Sequence, residues 1–201
     1  MLDHEKLIRG AATLPGLLRQ RAQARGDQVA LREKIHGIWR GRTWADYYRD
    51  ARRVAFGLTQ LGLKRGDRII IAGEDTPEWF YADLGAQMIG AQVVGIYPTN
   101  PWPEVQYIAG HCQAKLAVTG DQEQTDKVLD AMSNGSGLPH LQHIFCVDMK
   151  GLRRYESGRP HAFSHLLELG DQYIAQHPDA DRWLDASIDG FVPDDVNILV
   201  Y

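Results

Sequence analysis

An alternation between residues 43 and 149 limits this fold more than any other feature of the sequence. Short apolar runs, "RIIIAG", "QVVGIY", "KLAVTG" and "HIFCVD", are separated by longer stretches whose apolar positions recur every three or four residues. The runs read as strands buried on both faces, and the stretches between them as the helices that cover those faces. A crossover helix returns the chain to the edge at which the previous strand began, so successive strands run parallel. The expectation is an α/β fold, a mostly parallel sheet flanked by helices.

The helix boundaries have their own chemistry. Thr43 caps a long helix in which Tyr47, Ala51, Val54 and Leu58 form an apolar stripe opposite Asp46, Arg49 and Arg53. Gly62 and Gly66 close it. Thr76 caps the next helix, Pro77 takes its first position and Glu78 faces its positive end. Pro103–Cys112 and Asp121–Met132 read as the helices that follow "QVVGIY" and "KLAVTG". Upstream, Thr13 and Pro15 start a helix that ends near Gly26, and the Gly-containing turn "IHG" makes residues 29–42 a predicted hairpin. Downstream, "SNGSGLPH" reads as a flexible connection, "RRYESGRP" as loop, "FSHLLELGDQYIAQH" as one or two short helices and Asn197–Tyr201 as a strand. The expected organisation is a helix plus hairpin over 1–42, a βα core over 43–149 and a looser segment over 150–201 leading to the last strand.

Charge and cysteine usage exclude several functions. With a formal net charge of −4 and a pI near 6.0, the chain has no basic footprint for nucleic acid. Cys112 and Cys146, 34 residues apart, form neither a CxxC pair nor a disulfide framework, which points to a reducing cytoplasm. The N-terminal "MLDHEKLIRGAATLP" has no apolar core of a signal peptide, and "AQMIGAQVVGIY" is too short to span a bilayer. The sequence leaves peripheral membrane contact open.

No catalytic constellation is legible. Neither GxGxxG nor GxxxxGK[ST] occurs in the required context, so no cofactor-binding residue is assigned and no phosphate cradle is expected. His161 and His165 stand four apart, yet the third and fourth ligands of a zinc site are missing, and no metal residue is assigned. Ser133, Ser136, Ser157, Ser164 and Ser187 lack a nucleophile elbow. Cys112 directly follows His111 and reads as a packed thiol. Glu74, Asp75 and Glu78 crowd the end of a strand, where α/β folds bind ligands, although Thr76-Pro77-Glu78 is completely explained as a helix start, which is the favoured reading.

The loop "IYPTNPWPE" carries the most information. Three prolines stiffen it at the end of a strand, and Tyr97 and Trp102 flank it. It suits either an apolar pocket wall or the rigid corner that delivers the next helix.

Residues 43–130, with "GLKRGDRI", "PEW", "GAQVVGIYPT" and "DQEQTDKVL" in family spacing, resemble the amino-terminal part of the acyl-adenylate-forming, AMP-binding enzymes. "IYPT" is similar to the long-chain fatty-acid–CoA ligase branch, and Asp75 departs from the Asn usual before "xPEW". In that family "DDVxxLxY" precedes the Ser/Thr/Gly-rich loop that wraps the phosphates of ATP. The resemblance therefore implies an amino-terminal fragment, inactive alone, whose phosphate loop would begin after Tyr201. For the full-length enzyme it implies ATP, Mg²⁺ and CoA, with a long-chain fatty acid converted to acyl-adenylate and then to the thioester. It transfers no catalytic residue to this chain and leaves Tyr97, Pro98 and Thr99 as a wall near substrate. The alternative is a stand-alone, non-catalytic module that binds an acyl chain or a protein. A nicotinamide oxidoreductase ranks last, for want of its glycine fingerprint.

Overall fold

The computed structural model describes residues 13–155 and 160–201. The first twelve residues, and the part of the expected "RRYESGRP" loop that includes Ser157, lie outside it. The described chain begins with α1 (Leu14–Arg25), whose N-cap Thr13 accepts a hydrogen bond from the Gly16 amide. A hairpin follows, β1 (Val29–Ile35) and β2 (Ile38–Thr43). His36 and Gly37 both have positive φ, 48° and 82°, as a two-residue hairpin turn of matching twist requires. Then α2 (Trp44–Gln60) opens on a reciprocal capping box between Thr43 and Asp46. The Thr43 amide and hydroxyl both donate to the Asp46 carboxylate, which lowers its pKa.

The sheet and its crossovers are β3 (Arg68–Ala72), α3 (Pro77–Met88), β4 (Gln92–Ile96), α4 (Trp102–His111), β5 (Leu116–Thr119), α5 (Gln122–Ser133) and β6 (His143–Cys146). A single 3₁₀ turn at Leu152–Arg154 leads to β7 (His161–Ala162), α6 (Phe163–Gln176), α7 (Ala180–Asp189) and β8 (Ile198–Leu199). The six strands lie in the order β7-β6-β5-β3-β4-β8, and every pair is parallel. The mostly parallel sheet expected from the alternation is therefore the observed one.

The period of two along each strand divides the core. Ile69, Ile71, Val93, Val118 and Phe145 face a layer made of α1, α2, α3, α6 and α7. Ile70, Ala72, Val94, Ile96 and Ala117 face α4 and α5. This two-sided burial explains why the strands read as unbroken apolar runs. The connection β3-α3-β4 moves one way across the sheet and β4-α4-β5 moves back past β3, so the winding reverses between β3 and β5.

The stretch "FSHLLELGDQYIAQH", expected to give one or two short helices, forms α6, a second helix α7 follows it, and α6 lies directly on α2. Gly57 and Gly170 make that approach possible. A Cβ on Gly57 would come under 3.0 Å from the Leu166 carbonyl oxygen, and one on Gly170 under 3.0 Å from that of Arg53. The contact joins residues more than a hundred positions apart, which local periodicity cannot reveal. The strand expected over Asn197–Tyr201 is shorter: only Ile198 and Leu199 pair with β4, and Tyr201 turns to α4, its hydroxyl 2.7 Å from His111 Nδ1.

Candidate functional site

The carboxyl ends of the strands gather the loops that could meet a ligand. At the β3/β5 reversal the backbones of Gly73 and Gly120 touch: a Cβ on Gly73 would lie 3.0 Å from both Cα and N of Gly120. No side chain fits between these loops, and an accessible concavity lies one strand away, between β4 and β8.

There the turn after β4 is built from the residues the sequence singled out. The Asn100 amide donates to the Tyr97 carbonyl at 3.0 Å, with Pro98 pre-set in the turn. The Pro98 carbonyl accepts from Gln124 Nε2 at 3.3 Å and from Lys127 Nζ, both on α5. Lys127 is itself held by Glu123 at 2.8 Å. The loop is thus fixed from beneath while Tyr97, 71% exposed, projects outward.

A groove of about 160 Å³ opens beside it, bordered by Asp75, Trp79, Gly95, Tyr97, Pro98 and the segment from Ile198 to Tyr201. Gly95 is the reason for the opening. It occupies the strand face turned toward α3, and its missing side chain leaves Trp79 across the gap, 3.7 Å from where a Cβ would sit. Tyr97 and Pro98 border the groove; Thr99 is exposed and does not. Sequence reasoning missed Trp79, Gly95 and Tyr201. The signals available were a glycine inside an otherwise β-branched run and the Trp two positions after the helix-starting Pro77.

The other candidates have structural roles. Cys112 and Cys146 are buried, and burial pushes both thiols up, away from the reactive thiolate. The Ser187 hydroxyl donates to the Met88 carbonyl at 2.9 Å. His161 and His165 do not share a helix: the first is in β7, the second in α6 and 3.2 Å from Glu168, with the rings 5.4 Å apart. Thr76 occupies the N-cap of α3 without a capping hydrogen bond from its side chain, and burial raises the pKa of Glu78 in the first turn.

A magnesium–triphosphate does not fit these residues. Among the described residues no three His, Cys, Asp or Glu side chains converge on one metal position. The exposed Glu74, Asp75 and Asp121 at the strand ends repel a polyphosphate rather than hold it. The groove beside them is lined mostly by apolar side chains, with Asp75 its one acidic side chain.

A family model described as AMP-binding enzyme matches residues 18–187. The chain belongs to that family. This AMP-binding enzyme chain is 33% identical over 176 residues to the long-chain-fatty-acid–CoA ligase ACSBG1 of Homo sapiens, a match covering 88% of the chain and 23% of that protein. It is 31% identical over 189 residues to ACSBG2 of Xenopus laevis, named in the same way, covering 94% and 24%. It spans about a quarter of the length of these curated relatives. Among solved structures it resembles the anthranilate CoA ligase AuaEII in complex with anthranoyl-AMP, with a TM-score of 0.62 and 24% identity over 75% of the chain and 26% of that one. At that identity the likeness shows the fold alone. No helix among the described residues is long and apolar enough to cross a membrane.

Proposed function

We propose that these 201 residues serve as scaffold and acyl-side wall in an AMP-forming long-chain fatty-acid–CoA ligase. In that reaction a fatty carboxylate and the thiol of CoA are joined as a thioester, while ATP is cleaved to AMP and pyrophosphate. The observation that carries the reading is the family match over residues 18–187 together with relatives named for this activity. The groove at the end of β4 supports it. Tyr97 and Pro98 present apolar surface there, held by Gln124 and Lys127, and a wall so preorganised loses little entropy when a chain lies against it. Thr99, exposed outside the groove, takes no part in that wall. The polyphosphate chemistry belongs to other parts of the enzyme, and the chain alone does not adenylate a fatty acid. Its two reduced, buried thiols suit a cytoplasmic setting.

A chimera tests this. Residues 18–187 replace the matching segment of a curated relative, and palmitate-dependent ATP–pyrophosphate exchange is measured. Exchange in the chimera and none with the 201-residue chain alone is the expected pair of results. A chimera that melts cooperatively yet shows no exchange removes the ligase reading, and exchange by the chain alone removes the scaffold assignment.

A further inference from the structure

The hairpin β1–β2 stands apart from the six-stranded sheet and carries a pattern that the ligase reading does not use. Residues paired across the two strands share a face. Leu31 and its pair Arg42 lie on the inner one, Leu31 packed against the core and Arg42 bonded to Glu33 at 3.2 Å. On the outer face Lys34 sits opposite Trp39, Arg32 opposite Gly41, and Val29 leans over Gly41 at 3.3 Å from where a Cβ would be. At the turn, Ile38 and Trp39 point to opposite faces, 61% and 66% exposed. The hairpin tip therefore exposes Ile38 on its inner face and Trp39 on its outer one, within a collar of cations: Lys34 level with Trp39, Arg32 further back on the same face, and Arg40 on the inner face across from Glu33. Among the described residues none of the three has a carboxylate partner. Residues 29–43 hold four basic residues and one acid, in a chain whose net charge is −4.

The geometry points to an anionic lipid bilayer as the occupant of this tip, with Ile38 and Trp39 entering the headgroup region and the collar meeting lipid phosphates. Indole, amphipathic and rigid, favours that depth, and cations near an anionic surface add to the attraction. A second copy of the chain fits less well, since a two-fold contact across the outer face would bring Arg32 and Lys34 against their own copies. Nucleic acid has no use for an isoleucine and a tryptophan exposed on opposite faces of one tip.

The inference does not depend on the ligase reading, and its test contains no ATP, CoA or fatty acid. The 201-residue chain is sedimented with vesicles of phosphatidylcholine alone or with roughly one-third phosphatidylglycerol. Binding is expected only to the anionic vesicles and falls steeply as salt rises from about 0.1 to about 0.5 M. Arg32→Glu with Lys34→Glu lowers the partition coefficient by about tenfold or more, and Trp39→Ala by about threefold to tenfold. A control of equal charge, Arg153→Glu with Arg154→Glu, stays within about twofold. Equal binding to neutral vesicles, or equal loss in the control, overturns the assignment. So does a concentration-dependent dimer, seen by sedimentation velocity without lipid and abolished by Trp39→Ala, which gives the face to a second copy. Comparing the two lipids and two salt conditions with the unsubstituted chain keeps the test decisive even if a variant folds poorly.

Discussion

Gly170 and Gly95 sit in opposite surroundings. Gly170, on α6, presses against the backbone of α2, and a Cβ there would collide with the Arg53 carbonyl oxygen. Gly95, on β4, faces the groove, and a Cβ there would meet only Trp79, at an ordinary 3.7 Å. In one place the missing side chain lets two helices seal a layer; in the other it leaves a layer unsealed. Charged ties reinforce the sealed side: Arg53 Nε donates to Asp171 at 2.8 Å, Arg52 pairs with Asp181, and Arg19 reaches Asp185 at 2.9 Å. At the groove the fixings among the described residues are fewer: those that hold the Pro98 carbonyl from α5 and the 2.7 Å contact of the Tyr201 hydroxyl with His111. The chain thus separates a closely sealed layer from an open groove.

The largest expected effect comes from breaking the sealed side. Gly170→Ala forces α6 away from α2 and costs about 3 kcal/mol, because the colliding atom is backbone and cannot rotate aside. For a chain of this size that lowers Tm by about 9 °C. A thermal melt of the variant at the wild-type temperature would contradict the close-packing account of this interface.

The second test uses the buried carboxyl of Asp83 in the same layer. Burial raises its pKa to about 6 from 3.8, despite a 2.8 Å hydrogen bond from Gln87 Nε2. Between those values the folded chain keeps a proton that the unfolded chain has released, so stability falls as pH rises through that window. Asp83→Asn abolishes this dependence and stabilises the chain at pH 7 by on the order of 2 kcal/mol. The new amide can also donate to Gln87 Oε1, which has no hydrogen-bond partner. Urea unfolding of both proteins at acidic and neutral pH measures the difference, and parallel pH profiles would refute it.

Lys127→Ala probes the fixing of the open side. Removing the ammonium from beneath the turn costs about 1 kcal/mol, and amide exchange at Thr99 and Asn100 quickens while exchange in α2 does not. Unchanged exchange would show that the prolines and Gln124 hold the loop without Lys127.

Much of this contrast was legible in the sequence, for reasons that can be located. The strands were readable because two-sided burial leaves short unbroken apolar runs, as in Ile69–Ala72. The helix starts were readable because Thr13, Thr43 and Asp121 accept amide hydrogen bonds three residues on. What could not be read depends on distant partners. Leu166 and Phe163 are fully packed against elements far upstream, so the α2–α6 interface left no mark in either helix alone. The groove was half legible: three prolines marked the Tyr97–Pro98 loop, though they suited a pocket wall and a rigid corner equally. The opposite wall needed the positions of Trp79 and Tyr201, which only sheet order and the turn of the last residues provide.

The smallest effect sharpens the comparison most, because it reverses sign. Gly95→Ala makes the same chemical change as Gly170→Ala, but in a strand whose outward face is open. A glycine inside a strand carries excess backbone entropy in the unfolded chain, so alanine is favoured there by about 0.5 kcal/mol once no clash opposes it. The variant should melt slightly higher than wild type, by about 1–2 °C. In the chimeric ligase it should narrow the groove, raising KM for long fatty acids more than for short ones while leaving KM for ATP unchanged. A lowered Tm would mean that Trp79 already packs too closely to admit a methyl group. A raised Tm with no chain-length effect would leave the groove intact as geometry and remove it as the place where the acyl chain lies.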